Sequence, residues 1–271
     1  MLSVTSRIPP AAPPPERLPL SAAAALRAGF GPLLHTASTG STNDDLAVAA
    51  RRGDRTPAVL VADHQTAGRG RLGRRWVDAA GAVGSPDASL LVSFRLPTAI
   101  AEAFDCAVAV SAAALAAAAR ALHGSAAEIR AKWPNDLLLE APGISGKLAG
   151  VLSEIVDGEP PVAVVGLGLN VAAAPAEPGA VSLAQAGSGA SRDEVLASLL
   201  DGLDGFLADP ARARRELKAA SATIGRLVRV ELADGRAVEG IARDIDAAGR
   251  LVVASGDRDL RIDAGDVFHL R

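Results

Sequence analysis

The chain has 271 residues, a formal net charge of −3, 49% hydrophobic and 22% charged residues, which allows one large domain plus a small one and excludes a generally basic nucleic-acid surface. Its single cysteine, Cys106, rules out an intrachain disulfide framework and suits a reducing compartment. The charge-free stretch Cys106 to Ala119 is too short and alanine-rich for a bilayer span, and the N-terminal I-P-P-A-A-P-P-P lacks the apolar core of a signal peptide, so a soluble cytoplasmic protein is expected.

Residues 1 to about 30 carry six prolines and the run Ala22 to Ala25, predicting an irregular tail leading into a short helix. Leu33 and Leu34 start a strand ending near His35 or Thr36. A helix then opens after S-T-G-S-T-N: Ser41 or Thr42 caps it, Asp44 and Asp45 suit its positive end, and Gly53 stops it. Plain capping is the alternative role for Ser41, Thr42 and Asn43.

The apolar run Ala58 to Ala62 suits a buried strand. It feeds D-H-Q-T-A-G-R-G-R-L-G-R-R-W, residues 63–76, with three glycines (Gly68, Gly70, Gly73) and four arginines (Arg69, Arg71, Arg74, Arg75) within eight residues. Such a loop cannot be core; it is either a solvated basic loop or a place where backbone approaches an anion that guanidinium groups hold. Gly68-x-Gly70-x-x-Gly73 matches the dinucleotide-binding spacing, but Gly81, Gly84 and Pro86 follow, so no helix opens inside the motif and that reading fails. No P-loop motif occurs.

A strand is expected at Ser89 to Leu96 and a long alanine-rich helix at roughly Ile100 to Leu122. A strand from Ile129 to Trp133 enters K-W-P-N-D (132–136) as a hairpin that resumes at Leu137 to Leu139. Lys147 to Val156 and Pro161 to Asn170 read as buried strands; Gly166 and Gly168 inside the second suggest close approach of a backbone or ligand. Ser191-x-x-Glu194 is a capping box opening a helix to about Leu207, and another covers roughly Pro210 to Ala220. From Ile224 onward, short alternating strands separated by turns such as Asp234-Gly235, Ala248-Gly249 and Ser255-Gly256 predict a small SH3-like β-barrel. The expected division is a tail (1–30), a catalytic domain (31–221) and the barrel (222–271).

Rare residues narrow the chemistry. Of 28 basic side chains only Lys132, Lys147 and Lys218 are lysine, and the chain has three asparagines (Asn43, Asn135, Asn170) and two tryptophans (Trp76, Trp133). In a composition biased to Ala, Gly, Pro and Arg, residues that resist the bias are candidates for specific roles. Most of these fall at predicted strand ends or turns, where open sheets place ligands. With no histidine cluster, cysteine pair or Ser-His-Asp arrangement, the set suits an anion and a neutral polar head group.

S-T-N (41–43), Q-T-A-G-R-G-R-L-G-R-R-W (65–76), K-W-P-N-D (132–136), G-K-L-A-G-V-L-S-E (146–154) and G-L-G-L-N-V (166–171) resemble, in order and spacing, the motifs of biotin protein ligases, the biotin–[acetyl-CoA-carboxylase] synthetases. The resemblance covers about residues 36–271. It implies an α+β fold, with a mixed-sheet catalytic domain of the biotin/lipoate ligase type beside the SH3-like C-terminal barrel. It also implies a two-step reaction: biotin's carboxylate attacks the α-phosphorus of Mg-ATP to give biotinyl-5′-adenylate, and a carrier lysine then displaces AMP. The alternative on this scaffold is a lipoate or octanoate ligase or transferase.

Carried onto this sequence, the resemblance implies that Lys147 bridges the biotin carboxylate and the phosphate while Arg69 and Arg71 clamp the phosphate. Ser41, Thr42, Asn43 and Gln65, with Gly68 to Arg71, fall on the biotin and biotinyl-AMP side. Lys132, Trp133, Asn135 and Asn170 fall on the nucleotide and magnesium side, with Lys132 also among the catalytic cations, and Trp76 packs under the closed loop. Asp136 is placed to receive the acceptor lysine's proton. The implied substrates are biotin and ATP with Mg²⁺, and no protein metal ligand is assigned. The implied partner is a biotin carboxyl carrier protein or domain of acetyl-CoA or another acyl-CoA carboxylase, with no nucleic acid or membrane and a monomeric or weakly dimeric enzyme. Two features depart from the family pattern. About 35 proline- and alanine-rich residues stand where many members carry a helix-turn-helix, so no operator binding is expected; and the segment Gly81 to Ser89 is more polar than usual.

Overall fold

The computed structural model describes residues 18–79, 85–99 and 102–270. Strands β1 (Leu34–Thr39) and β2 (Ala58–Gln65) pair in parallel, joined by the crossover helix α2 (Thr42–Arg51). The remaining strands of that sheet pair antiparallel: β3 (Ser89–Pro97), β4 (Glu128–Lys132), β5 (Asp136–Ala141), β6 (Ile144–Val156) and β7 (Val162–Asn170). The order across the seven strands is β1-β2-β3-β7-β6-β5-β4. The expected mixed sheet in an α+β fold is therefore present, with β1 and β2 each running a few residues past their predicted ends.

Strand alternation sorts side chains onto two faces. Val59 and Val61 join a core with Val92, Phe94, Leu167 and Leu169, covered by α1 (Pro19–Arg27), α3 (Ala103–Ala121), α4 (Arg192–Ala208) and α5 (Pro210–Ala219). Leu60 and Val164 face the other way and meet Leu46, Ala47 and Ala50 of α2. By length and composition α3 is apolar enough to cross a membrane, but it is the central core helix, its fully buried Ala109, Ala114 and Ala118 allowing close packing. Residues 1–17 of the expected tail lie outside the described residues, whereas Leu18 and α1 are part of the core, with Ser21 bonded to Asp193 of α4.

The C-terminal strands β8 (Leu227–Glu231), β9 (Ala237–Ile245), β10 (Leu251–Ser255), β11 (Arg258–Ile262) and β12 (Asp266–His269) form a second, antiparallel sheet in the order β11-β10-β9-β8-β12. This corrects the predicted SH3-like barrel: the sheet does not close, because no ladder joins its edges β11 and β12 among the described residues. Alternation in sequence fixes which side chains face inward but carries no information on whether the edges meet. Edge strand β11 carries Arg258, Asp259 and Arg261, charges that disfavour further edge pairing. Trp133 helps to link the two sheets. It packs with Val228, Val230, Leu251 and Val253, and its indole N–H donates to the Gly249 carbonyl at 2.9 Å.

Candidate functional site

Two glycine-bearing rows of the large sheet form the floor of a cavity of about 530 Å³. In one row Ser93, Gly166 and Leu152 lie side by side on β3, β7 and β6; in the next, Leu91, Gly168 and Gly150 do. The glycines are required by what lies above them. A Cβ on Gly166 would collide with the Asn43 side chain, and one on Gly168 with the Trp76 indole, whose ring edge also lies over Gly150. The expected close approach is thus made by two side chains.

The glycine–arginine loop forms the roof. It folds back on itself through Gly70 N–H to Arg74 O (2.7 Å) and Trp76 N–H to Gly68 O (2.9 Å). A short 3₁₀ turn, Arg71–Gly73, makes its tip, where Leu72 adopts φ 54°, a left-handed conformation disfavoured for a branched side chain. Arg69 reaches across to Asp44 at the start of α2 and, at 3.2 Å, to Glu154 on β6. These contacts, led by the Asp44 hydrogen bond, raise the Arg69 pKa and clasp the loop to the body.

One end of the cavity is neutral and polar. Ser41 caps α2, so Thr42 and Asn43 start the helix buried at the sheet. The Thr42 backbone N–H and hydroxyl both donate to Gln65 Oε1, at 2.8 and 3.0 Å. Thr42 Oγ1 also lies 2.7 Å from Ser93 Oγ, which donates to Asn43 Oδ1 at 2.6 Å, and Asn43 Nδ2 donates to the Leu152 carbonyl at 3.2 Å. The two hydroxyls and the Gln65 and Asn43 amide oxygens make a neutral, acceptor-rich network, suited to a ligand that presents N–H groups.

The other end is cationic. Lys147 Nζ lies 2.8 Å from Asp136 Oδ1 and 5.6 Å from the centre of the Trp76 ring. A register shift between β5 and β6 produces this placement: Leu138 pairs with Lys147 while Leu137 pairs with Ala149, so Leu148 and Ala149 both enter the core. Arg71 is half-buried; desolvation by burial pulls its pKa down, and its Nη1 makes only a long 3.4 Å contact with Asn135 Oδ1. A partly desolvated guanidinium with such a contact is suited to an incoming anion.

Ser41, Thr42, Asn43, Gln65, Arg69, Gly70, Arg71, Trp76, Asn135 and Lys147 come together around this cavity. Gly68 sits behind it, against the Trp76 backbone. Lys132 and Trp133 line a neighbouring cleft of about 690 Å³ between α3, α5 and the second sheet, which shares Arg71, Asn135 and Asp136 with the first cavity. Asn170 lines neither; it is buried at the end of β7, donating to the Val181 carbonyl at 3.0 Å. Residues 81–84 of the polar segment Gly81 to Ser89 lie outside the described residues. Sequence reasoning missed Ser93 and the clasp partners Asp44 and Glu154. Ser93 had a signal, a hydroxyl amid the apolar run of β3; the clasp had none, since Asp44 and Glu154 lie 25 and 85 residues from Arg69.

Residues 38–170 match the biotin/lipoate A/B protein ligase family, and residues 223–270 match the biotin protein ligase C-terminal domain. A biotin–[acetyl-CoA-carboxylase] ligase of Mycobacterium tuberculosis is 42% identical over 252 residues, covering 90% of this chain and 91% of that protein. The chain belongs to the biotin protein ligase family. Within the family it is also similar to the bifunctional ligase/repressor BirA of Escherichia coli, 31% identical over 72% of this chain and 61% of that protein. Among solved structures, the biotin protein ligase from Aquifex aeolicus in complex with biotin and ATP shares the fold, with a TM-score of 0.68 at 23% identity over 88% of this chain and 98% of that one.

Proposed function

We propose that the cavity under the glycine–arginine loop holds biotinyl-5′-AMP, with the ureido ring at the Thr42–Gln65–Ser93–Asn43 end and the acyl-phosphate between Lys147 and Arg71. The enzyme is an ATP- and biotin-dependent ligase that forms biotinyl-AMP and biotinylates a carrier protein, as its family does. The observation that carries the assignment is the polarity of this one cavity: a neutral, acceptor-rich network at one end, fixed cations at the other, and the Trp76 indole over bare glycine backbone between them.

In the first step the biotin carboxylate attacks the α-phosphorus and pyrophosphate leaves. Lys147 and Arg71 neutralise charge that grows on the non-bridging oxygens, and preorganised cations in a water-poor site lower such barriers strongly. The loop clasped through Arg69 shields the mixed anhydride from water. In the second step the carrier lysine's amine attacks the acyl carbon, AMP leaves, and Asp136 accepts the amine's proton.

Magnesium enters with the ATP phosphates as part of that substrate. Such an ion is carried mainly by phosphate oxygens, with Asn135 and Asp136 near them. Lys132 and Asn170 are assigned to the nucleotide side, Lys132 from the adjoining cleft and Asn170 by supporting the end of β7. The acceptor is a biotin carboxyl carrier domain of an acyl-CoA carboxylase, and the setting is cytoplasmic. Residues 31–221, with α1 packed on them, act as the catalytic unit and 222–271 as the C-terminal unit.

ATP–pyrophosphate exchange with Mg²⁺ and either biotin or lipoate tests the assignment. Exchange with biotin alone is expected. Exchange with lipoate alone would move the chain to the sister branch of the fold, and none with either acid would mean a binding protein without adenylating activity.

A further inference from the structure

The last residues of β2 are held unusually. The β2–β3 ladder ends at Ala62 and Leu91, yet β2 continues to Gln65, which pairs only with Thr39 of β1. On the side where β3 has stopped, the far stem of the glycine–arginine loop supplies Asp78, whose carboxylate is 1% exposed. Its Oδ2 accepts the Gln65 backbone N–H at 3.1 Å, and its Oδ1 lies 3.1 Å from His64 Nδ1. The next residue, Ala79, is fully buried, and its N–H donates to Ser89 Oγ at 3.3 Å. A carboxylate is kept this far from water only where its oxygens are occupied. Here both oxygens contact consecutive residues at the entry to the loop, His64 and Gln65.

We propose that Asp78 is a positioning residue of the biotin site, standing in for the missing β3 partner and setting Gln65 so that its Oε1 meets both donors of Thr42. The proposal rests on the reading that this end of the cavity holds the ureido ring. It separates the two ends of the site: Asp78 acts on the acid-recognising end through Gln65, while Lys147 is set by the β5–β6 register and Arg71 sits at the loop tip beside Asn135.

The test uses the full-length enzyme and ATP–pyrophosphate exchange, with the biotin KM, ATP KM and kcat measured for Asp78→Ala, Asp78→Asn, Gln65→Ala and the Asp78→Ala/Gln65→Ala double variant. Asp78→Ala is expected to raise the biotin KM about tenfold while ATP KM stays within about twofold, the size of effect that follows from leaving a buried donor unpaired. Asp78→Asn keeps one oxygen for the Gln65 N–H and should recover most of the loss. In the Gln65→Ala background Asp78→Ala should add less than about twofold, because residues acting as a unit are non-additive. An undiminished effect in that background, or equal rises in biotin and ATP KM, would overturn the proposal. If Asp78→Ala does not fold, Asp78→Ser and its own cycle with Gln65→Ala are judged by the same criteria. Wild-type enzyme that exchanges with lipoate but not biotin would instead remove the underlying reading, and the proposal with it.

Discussion

Lys147 Nζ lies 2.8 Å from Asp136 Oδ1, an ion pair made where β5 begins and the β6 register shifts. The lysine is thereby aimed at the cavity before substrate arrives, and its carboxylate partner can be exchanged for a phosphate without moving the strand. Replacing Lys147 by Ala should slow single-turnover adenylate formation about a hundredfold or more, the scale seen when one preorganised charge is removed from a developing oxyanion. A rate equal to wild type would exclude a transition-state role for this lysine.

Arg69 points away from Lys147, toward Asp44 and Glu154. Its removal should loosen the roof more than the chemistry. Arg69→Ala is expected to release free biotinyl-AMP into solution at least about tenfold faster while forming it at near wild-type rate, since loop closure gates retention. Filter separation of bound and free adenylate measures this, and unchanged retention counts against shielding.

Gly168 leaves room for the Trp76 indole. Gly168→Ala should displace that ring and weaken biotin binding about tenfold, in line with the cost of about 1–3 kcal/mol for overpacking a tight contact. Titration calorimetry would read the loss. A circular dichroism spectrum matching wild type would locate it in the site.

Trp133 joins the two sheets through the Val228–Val253 core and its bond to Gly249. Trp133→Ala should destabilise the protein by about 3–5 kcal/mol, as for other large-to-small changes of a buried aromatic. Denaturant unfolding monitored on both sheets would show the second sheet melting first.

Asp63 sits between His35 Nε2 (2.9 Å) and the buried Arg192 (2.8 Å). Burial alone would push its carboxyl up, but hydrogen bonds from His35 and Arg192, with Arg192's charge, more than reverse this and leave it below its ordinary 3.8. A depressed carboxylate contributes stability that is present above its unfolded pKa and lost as pH falls through the lower folded value. Acid unfolding of wild type should therefore steepen below about pH 4, and Asp63→Asn should flatten that limb while lowering stability at pH 7.

Much of the site could be read before folding was known. Ser41-Thr42-Asn43 had to cap a helix, Lys132 and Asn135 had to flank a hairpin, and Gly166 and Gly168 had to admit something close, because each statement depends on local geometry and on what a side chain lacks. The register shift that turns Lys147 toward Asp136 could not be read, since it places one extra residue on β6 and nothing in L-A-G-V-L marks it. Nor could the barrel be distinguished from an open sheet: inward alternation along β8 to β12 is the same in both, and closure depends on whether the edge strands β11 and β12 pair with each other.

The sequence by itself determined the family, the α+β alternation of elements and the residue types available for an anion and a neutral head group, because motifs, periodicity and composition are properties of neighbouring residues. Only the tertiary structure decided that Ser93 joins Thr42 to Asn43, that Arg69 clasps Glu154 and that Asp78 completes the end of β2. Those contacts depend on which strands lie side by side and where each ladder stops, and pairing across a sheet is set by the packing of the whole chain.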